Sequence, residues 1–300
     1  MIQYRAILIG NGTMGKRHRS RFEGCGVLFD KVLDAGADKW LFENAGNLNV
    51  DFAVVASPAS THYDYVKFFL KKNIPVLVEK PLSVTAAEAM ELVKISEDRD
   101  TLLFVAQSEC YNPLFLNFRK HLLLDLRNAV EASRAVSGGA AALPLNVALE
   151  FRREHGYCER CRDVDVSLDL LVHDVSLFLN MFDGRDVAVL DGDGCDDRRR
   201  LSLKVVSGEF AGVRADFIAD RNSDADIRRI SVAFGRHGNR AGFEYSVSLA
   251  RYTEGGAVAH IPDSLDNEHK FFLKLMSGSF RKWARRALLN AAQTIAFLGR

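Results

Sequence analysis

Along the first hundred residues, short unbroken apolar runs alternate with longer stretches in which apolar side chains recur every three or four positions. Residues 5–10 (RAILIG), 27–34, 51–56 (DFAVVA), 74–78 (IPVLV) and 101–107 (TLLFVAQ) read as strands. The first of these reads as a buried strand, and the second ends in an exit turn. Residues 14–25, 61–72 and 85–97 read as the helices between them. In the second of these, Val66, Phe69 and Leu70 gather on one side. Strands alternating with helices of this length predict a doubly wound parallel sheet.

The pattern changes after about residue 120. Residues 129–137, 146–152, 185–190, 201–207, 212–219, 227–234 and 242–250 read as successive strands, with Gly and Asp turns such as DGDG at 191–194 between several of them. A strong helical pattern at 165–182 interrupts the series, and a helical tail follows at about 267–298. The expectation is an open, mostly antiparallel sheet with helices on one face. The fold class is therefore α/β plus α+β, with domains at 1–120 and 121–300 and the last helix free to pack back on the first domain.

Composition narrows the function classes. The chain has 300 residues, 48% hydrophobic and 26% charged, which fits a globular protein of about two domains. Forty basic and thirty-nine acidic side chains leave a net charge of +1, so no bulk field draws the protein to nucleic acid or to an anionic membrane. A small molecule in a cleft is the expected partner. The first apolar run, Ala6-Ile7-Leu8-Ile9, is too short for a secretory core, and no stretch approaches the ~18 apolar residues of a membrane span. A cytoplasmic location is expected. The five cysteines are Cys25, Cys110, Cys158, Cys161 and Cys195; their odd number argues against a disulfide framework. Cys158 and Cys161 form a CxxC near His155, but no second CxxC accompanies it. Reduced thiols are expected, and no metal site.

Gly10, Asn11, Gly12, Thr13, Met14 and Gly15 form a GxGxxG that follows the first strand directly and opens the first helix. In that context the motif predicts a dinucleotide site: the first glycine permits the tight turn, the second lets the backbone approach a pyrophosphate, and the third lets helix and strand pack closely. The helix N-terminus adds free N–H groups and a partial positive charge. Asp34 closes the second strand nineteen residues after Gly15 and suits a ribose 2′-OH. A carboxylate there favours NAD over NADP, although Lys39 stands near enough to meet a 2′-phosphate.

Further segments fall at strand ends, where an open parallel sheet binds its ligand. Ser57 and Pro58 end the third strand, and His62 follows on the next helix. Glu79, Lys80 and Pro81 end the fourth strand, and Gln107 ends the fifth. Ser57, Pro58, His62, Glu79, Lys80 and Gln107 are accordingly placed on the cofactor side. Asp169 and His173, in DLLVHD at 169–174, lie four residues apart on the strong helix and so share a face.

Together, GNGTMG at 10–15, ASPASTH at 56–62, VLVEKPLS at 77–84 and DLLVHD at 169–174 resemble the Gfo/Idh/MocA oxidoreductases, which include glucose–fructose oxidoreductase and inositol dehydrogenases. The segment 107–113 resembles the family's crossing into its second domain, and 229–238 its late strand–turn pattern. The resemblance implies a Rossmann domain, an NAD(P)-dependent hydride transfer at a carbohydrate hydroxyl or ketone, and a homo-oligomer (dimer or tetramer). It also implies that Lys80, Asp169 and His173 form the catalytic group. The chemistry is consistent: an imidazole takes a proton from a hydroxyl, a carboxylate orients it, and an ammonium stabilises the oxygen that becomes a carbonyl.

The polar loop at 151–165 resembles a subgroup acting on sugars or sugar nucleotides. Arg152, Arg153, Arg160 and Arg162 there either meet a diphosphate or face solvent. Tyr111, Asn112, Arg162 and Asp174 are the candidate substrate contacts. Cys110-Tyr111 replaces a more usual Arg-Phe pair and leaves the substrate open. Two other readings stand beside the dehydrogenase: a catalytically silent dinucleotide-binding regulator, and a reductase of a non-sugar carbonyl or imine.

Overall fold

The computed structural model describes residues 4–34, 37–44, 46–136, 146–157, 163–183, 186–234, 243–249, 253–254, 257–258, 263–278 and 281–299. The elements in chain order are β1 (Arg5–Ile9), α1 (Thr13–Gly24), β2 (Leu28–Leu33), α2 (Ala37–Asn44), β3 (Phe52–Val55), α3 (His62–Lys71), β4 (Val76–Glu79), α4 (Ala86–Asp98), β5 (Leu103–Ala106), α5 (Pro113–Val136), β6 (Val147–Glu154), α6 (Val172–Met181), β7 (Val187–Gly194), β8 (Arg198–Val205), β9 (Arg214–Asp220), β10 (Ile227–Phe234), β11 (Phe243–Ser248), β12 (Thr253–Glu254), β13 (Ala257–Val258), α7 (Ser264–Met276) and α8 (Arg281–Leu298). They form two units, one of residues 1–108 with 263–299 and one of residues 109–262.

In the first unit five strands run parallel in the order β2-β1-β3-β4-β5. Strands β3, β4 and β5 are buried along their whole length, which explains their unbroken apolar sequences. The α4 helix starts with a capping box, Thr85 and Glu88 each bonding the other's backbone N–H. The α7 and α8 helices complete this unit. Phe272 of α7 packs edge-on to Phe22 and Phe52 at 5.8 and 5.1 Å between ring centres. Helix α8 buries Leu288, Ala292 and Ile295 against the α4 and β5 side, and its basic residues pair outward as Arg281–Asp100 and Arg285–Glu97. No helix among the described residues is long and apolar enough to cross a membrane.

In the second unit six strands run in the order β11-β10-β6-β9-β8-β7. All neighbours are antiparallel except β6 and β9. The inward face places Phe151 parallel to Phe217 at 4.8 Å, with Phe178 of α6 edge-on to both. Each such ring removed from water contributes about 1.5–3 kcal/mol. The outward face is polar, carrying Glu150, Arg152, Asp216 and Arg229.

Two expectations change here. Residues 129–136 are helix, the end of α5, and not a strand. The buried residues Phe115, Phe118, Leu122, Leu126 and Val130 recur every three or four positions, so the helical period continues through them. The division between units falls at Ser108, not near residue 120, and α5 belongs wholly to the second unit. The α2 helix adds an element that the sequence pattern did not suggest.

Candidate active site

The glycine loop has the shape its chemistry requires. Gly10 adopts φ +91°, and a Cβ there would stand 2.5 Å from the backbone of Ala56 and Ser57, so no other residue fits where β1 and β3 converge. A Cβ on Gly15 would meet the Gly10 carbonyl oxygen at 1.9 Å. Gly12 faces open space and caps α1 with no side-chain partner and no acidic residue in the first turn. The α1 amides therefore point at an open cradle with a positive end, which fits a pyrophosphate. The Gly10 N–H donates to Leu33 O at 2.8 Å, so the exposed Asp34 follows directly beside the loop. Thr13 is exposed, and Asn11 and Met14 are half-buried.

The six other candidates from the first unit divide into two groups. Ser57 is half-buried with its hydroxyl 2.7 Å from that of Thr61, and Pro58 is exposed. Lys80 and Gln107, just past β4 and β5, are half-buried. The Lys80–Pro81 peptide is cis. His62 turns inward instead: it is 1% exposed, with Nδ1 2.7 Å from Pro81 O and Nε2 2.9 Å from Ser57 O. Its ring joins the two loops rather than reaching a ligand. Glu79 is also committed internally. Its Oε1 lies 2.7 Å from His18 Nε2, and its Oε2 accepts from the Lys80 N–H at 3.1 Å. Burial pushes the Glu79 carboxyl up, but the hydrogen bond and charge of His18, with Lys80 and His62 behind it, hold it below the usual carboxylate range.

In the second unit, Ser167–Leu171 form a π-helical turn that runs into α6. Asp169 sits in that turn, 7% exposed, and His173 is half-buried at the start of α6. The expected continuous α-helix is thus wider where Asp169 leaves it, a distortion that often accompanies a functional residue. Arg221, 4% exposed, holds this turn in place. Its Nη1 lies 3.8 Å from the Asp169 carboxylate and donates to Val164 O at 2.9 Å, while its Nε donates to Asp197 at 2.7 Å. The charged stretch DDRRR at 196–200 supports the turn from the side. Its Asp197 anchors Arg221, and its Asp196 carbonyl accepts from the Val166 N–H.

The predicted substrate contacts fare less well. Asp174 is 3% exposed and accepts both Nε and Nη2 of Arg153, the closest contact being 2.8 Å. Arg153, 4% exposed, also reaches Glu109 at 3.5 Å. Burial works against the Arg153 charge, and the carboxylates of Asp174 and Glu109 overcome it, holding its pKa above the ordinary value. Neither residue is available to a substrate. Arg152 is engaged by Glu154. Asn112 accepts from the Leu114 N–H at 3.0 Å and precedes Pro113, the first residue of α5, so it serves as a helix cap. Tyr111 is half-buried. Arg160, Arg162, Cys158 and Cys161 lie outside the described residues, as do residues 235–238 of the late pattern. Cys195 is exposed with a free thiol, and Cys110 is buried.

Residues 35–107 match a family model described as an oxidoreductase family with an NAD-binding Rossmann fold, GFO_IDH_MocA. Over this segment the chain is similar to the Gfo/Idh/MocA oxidoreductases. The resemblance carried by the motifs is borne out. Among similar proteins is the UDP-N-acetylglucosamine 3-dehydrogenase of Acidithiobacillus ferrooxidans, 25% identical over 60% of this chain and 54% of that one. A solved structure of it superposes with a TM-score of 0.67 over 99% of this chain and 100% of that one, at 20% identity. An inositol 2-dehydrogenase of Acidothermus cellulolyticus is 28% identical over 59% of this chain and 52% of that one. The WlbA dehydrogenase of Thermus thermophilus, solved with NAD and UDP-GlcNAcA, superposes with a TM-score of 0.65 at 16% identity, covering 98% of this chain and 93% of that one. The chain spans about half the length of the curated relatives it matches.

The functional residues that the sequence motifs do not reveal are those that support others. Arg221, His18, His269 and Glu268 belong to no short motif. Glu268 of α7 is fully buried. Burial, and then the neighbouring Glu79 carboxylate, push it well above its ordinary 4.5, against a weaker pull from the Gln107 amide. A group with a raised folded pKa stabilises the fold fully below 4.5 and loses that contribution as pH rises towards the folded value. Glu268→Gln keeps the shape and carries no charge. Thermal unfolding should therefore show the variant more stable than the parent at pH 8 and equal to it near pH 4; equal stability at both would refute a neutral Glu268.

Proposed function

We propose that the protein is an NAD-dependent dehydrogenase that moves a hydride between nicotinamide and a secondary hydroxyl or ketone of a sugar or sugar nucleotide. The observation that carries this reading is the open, uncapped α1 terminus at Gly12, with Asp34 beside it at the end of β2. The activities named for the similar proteins, sugar-nucleotide and inositol dehydrogenases, support the substrate class. The family's printed cofactor and the NAD bound to the WlbA structure support the cofactor.

The α1 amides and Gly12 bind the pyrophosphate, and Asp34 accepts the ribose hydroxyls. NAD supplies the hydride acceptor when it is bound. His173 takes the hydroxyl proton as the carbon is oxidised. Asp169, fixed by Arg221 and the π turn, orients the imidazole and stabilises its charged form. The Lys80 ammonium donates to the oxygen as it gains carbonyl character.

The test is a panel of sugars, sugar nucleotides and cyclitols, followed at the nicotinamide absorbance band with NAD and with NADP. Turnover of a carbohydrate with NAD is expected. Asp34→Ala should narrow the preference for NAD by about tenfold, since one hydrogen-bonded charge is worth about 1.5–3 kcal/mol. A parent enzyme that prefers NADP would remove Asp34 from this role, and no turnover of any carbohydrate would favour the silent regulator.

A further inference from the structure

His18 lies on α1, three residues past the glycine loop, and is fully buried. It heads a line of contacts confined to the first unit. Its Nε2 meets Glu79 Oε1 at 2.7 Å, and its Nδ1 meets His269 Nε2 at 2.8 Å. The His269 Nδ1 in turn lies 2.5 Å from Leu265 O. At the other end, the second Glu79 oxygen accepts from the Lys80 N–H.

The protons in this line can be counted. A carbonyl oxygen only accepts, and a hydrogen bond between two acceptors does not form. The three contacts made by ring nitrogens therefore take three protons, whereas two neutral imidazoles bring two. The contact between His18 and Glu79 holds the third. Glu79 keeps its charge, so that proton resides on the His18 ring, which then donates both ways. The pair has no net charge, which lets it persist where a lone ion would not. Phe22 closes one side, 4.1 Å from the His269 ring centre.

This inference rests on the reading of Lys80 as the donor to the reacting oxygen. We propose that His18 is a positioning residue: charged, and backed by His269, it holds the Glu79 carboxylate against the Lys80 amide and so fixes the backbone from which the Lys80 ammonium reaches the substrate. The same side chain ties α1, whose first turn meets the cofactor phosphates, to the end of β4 that bears Lys80. No short motif assigns this task, because its members stand at positions 18, 79 and 269.

Two measurements test it. In full-length protein with 15N-labelled histidine, both ring nitrogens of His18 are expected to carry a proton at neutral pH, with His269 carrying one on Nδ1 alone. A singly protonated His18 ring overturns the relay, whatever reaction the protein catalyses. In steady-state kinetics, His18→Leu is expected to lower kcat about tenfold while the carbohydrate KM stays near the parent value, because a displacement of this order at the reacting centre acts on the transition state. His18→Gln, which keeps a donor towards Glu79, should recover most of the loss. Parental kcat in His18→Leu overturns the positioning role, as does equal loss in the leucine and glutamine variants. If His18→Leu does not fold, Glu79→Gln takes its place, with a lowered kcat expected and an unchanged kcat overturning the proposal. Failure of the parent protein to turn over any carbohydrate counts against the proposed function and leaves the nitrogen measurement to decide the relay.

Discussion

Lys80→Met should lower kcat about a hundredfold or more while NAD still binds, because a charged donor aimed at a developing carbonyl oxygen acts most strongly in the transition state. His173→Ala should cost a similar factor, about 10²–10⁴ for a lost general base. The two differ in their pH behaviour. Removing the base leaves residual activity that rises with hydroxide, whereas removing the ammonium lowers the profile without changing its acid limb. Stopped-flow turnover with a carbohydrate found active in the panel, alongside NAD titration by fluorescence, provides the check. Near-parental turnover in either variant would end the mechanism given above, and loss of NAD binding would move the residue from catalysis to cofactor recognition.

Arg153→Met should destabilise the second unit by about 3–5 kcal/mol, because it leaves the buried Asp174 carboxylate without its bidentate partner and Glu109 with only the more distant Arg228. The loss should be largely repaired in Arg153→Met/Asp174→Leu, since replacing a buried ion pair by apolar groups is often neutral. Urea unfolding of the single and double variants measures both. An Arg153→Met protein as stable as the parent would mean that the pair contributes nothing, and failure of the second substitution to repair it would place the cost in packing rather than charge. The stakes extend to catalysis, because Asp174 adjoins His173 and the pair fixes the start of α6.

The α/β half was legible because its physics is local. Strands such as FAVV at 52–55 and VLVE at 76–79 are buried on both faces and announce themselves as apolar runs. The glycine loop is equally local: Gly10 and Gly15 each exclude a side chain by contact with backbone nearby or across one strand. The misreadings have a different origin. Asp174, Arg153, Asn112, Glu79 and His62 are of the types that bind ligands, and those same types form buried ion pairs, caps and bridges. Which use applies depends on a partner distant in sequence, as with Arg153 and Asp174 or His18 and His269. The strand expected at 129–137 failed for a simpler reason. The alternation in AVEASRAV outweighed the longer period through Phe115, Phe118, Leu122 and Leu126, which only a window of some twenty residues displays.

The aromatic core beneath the nucleotide sheet has a bearing on how the chain is made. Phe22 and Phe52 lie against Phe272, and Phe104 lies 5.6 Å from it, yet 154 residues of the second unit separate the two stretches that supply them. On the ribosome, the glycine loop and its five strands emerge long before the side chain that fills the space between them. Domains tend to fold in order of synthesis, and the second unit, continuous in sequence, has all its own parts first. The nucleotide-binding unit must wait with its apolar underside open until α7 appears. The step that closes this unit is then also the one that delivers His269 to His18, so that contact forms only after the whole second unit has been made.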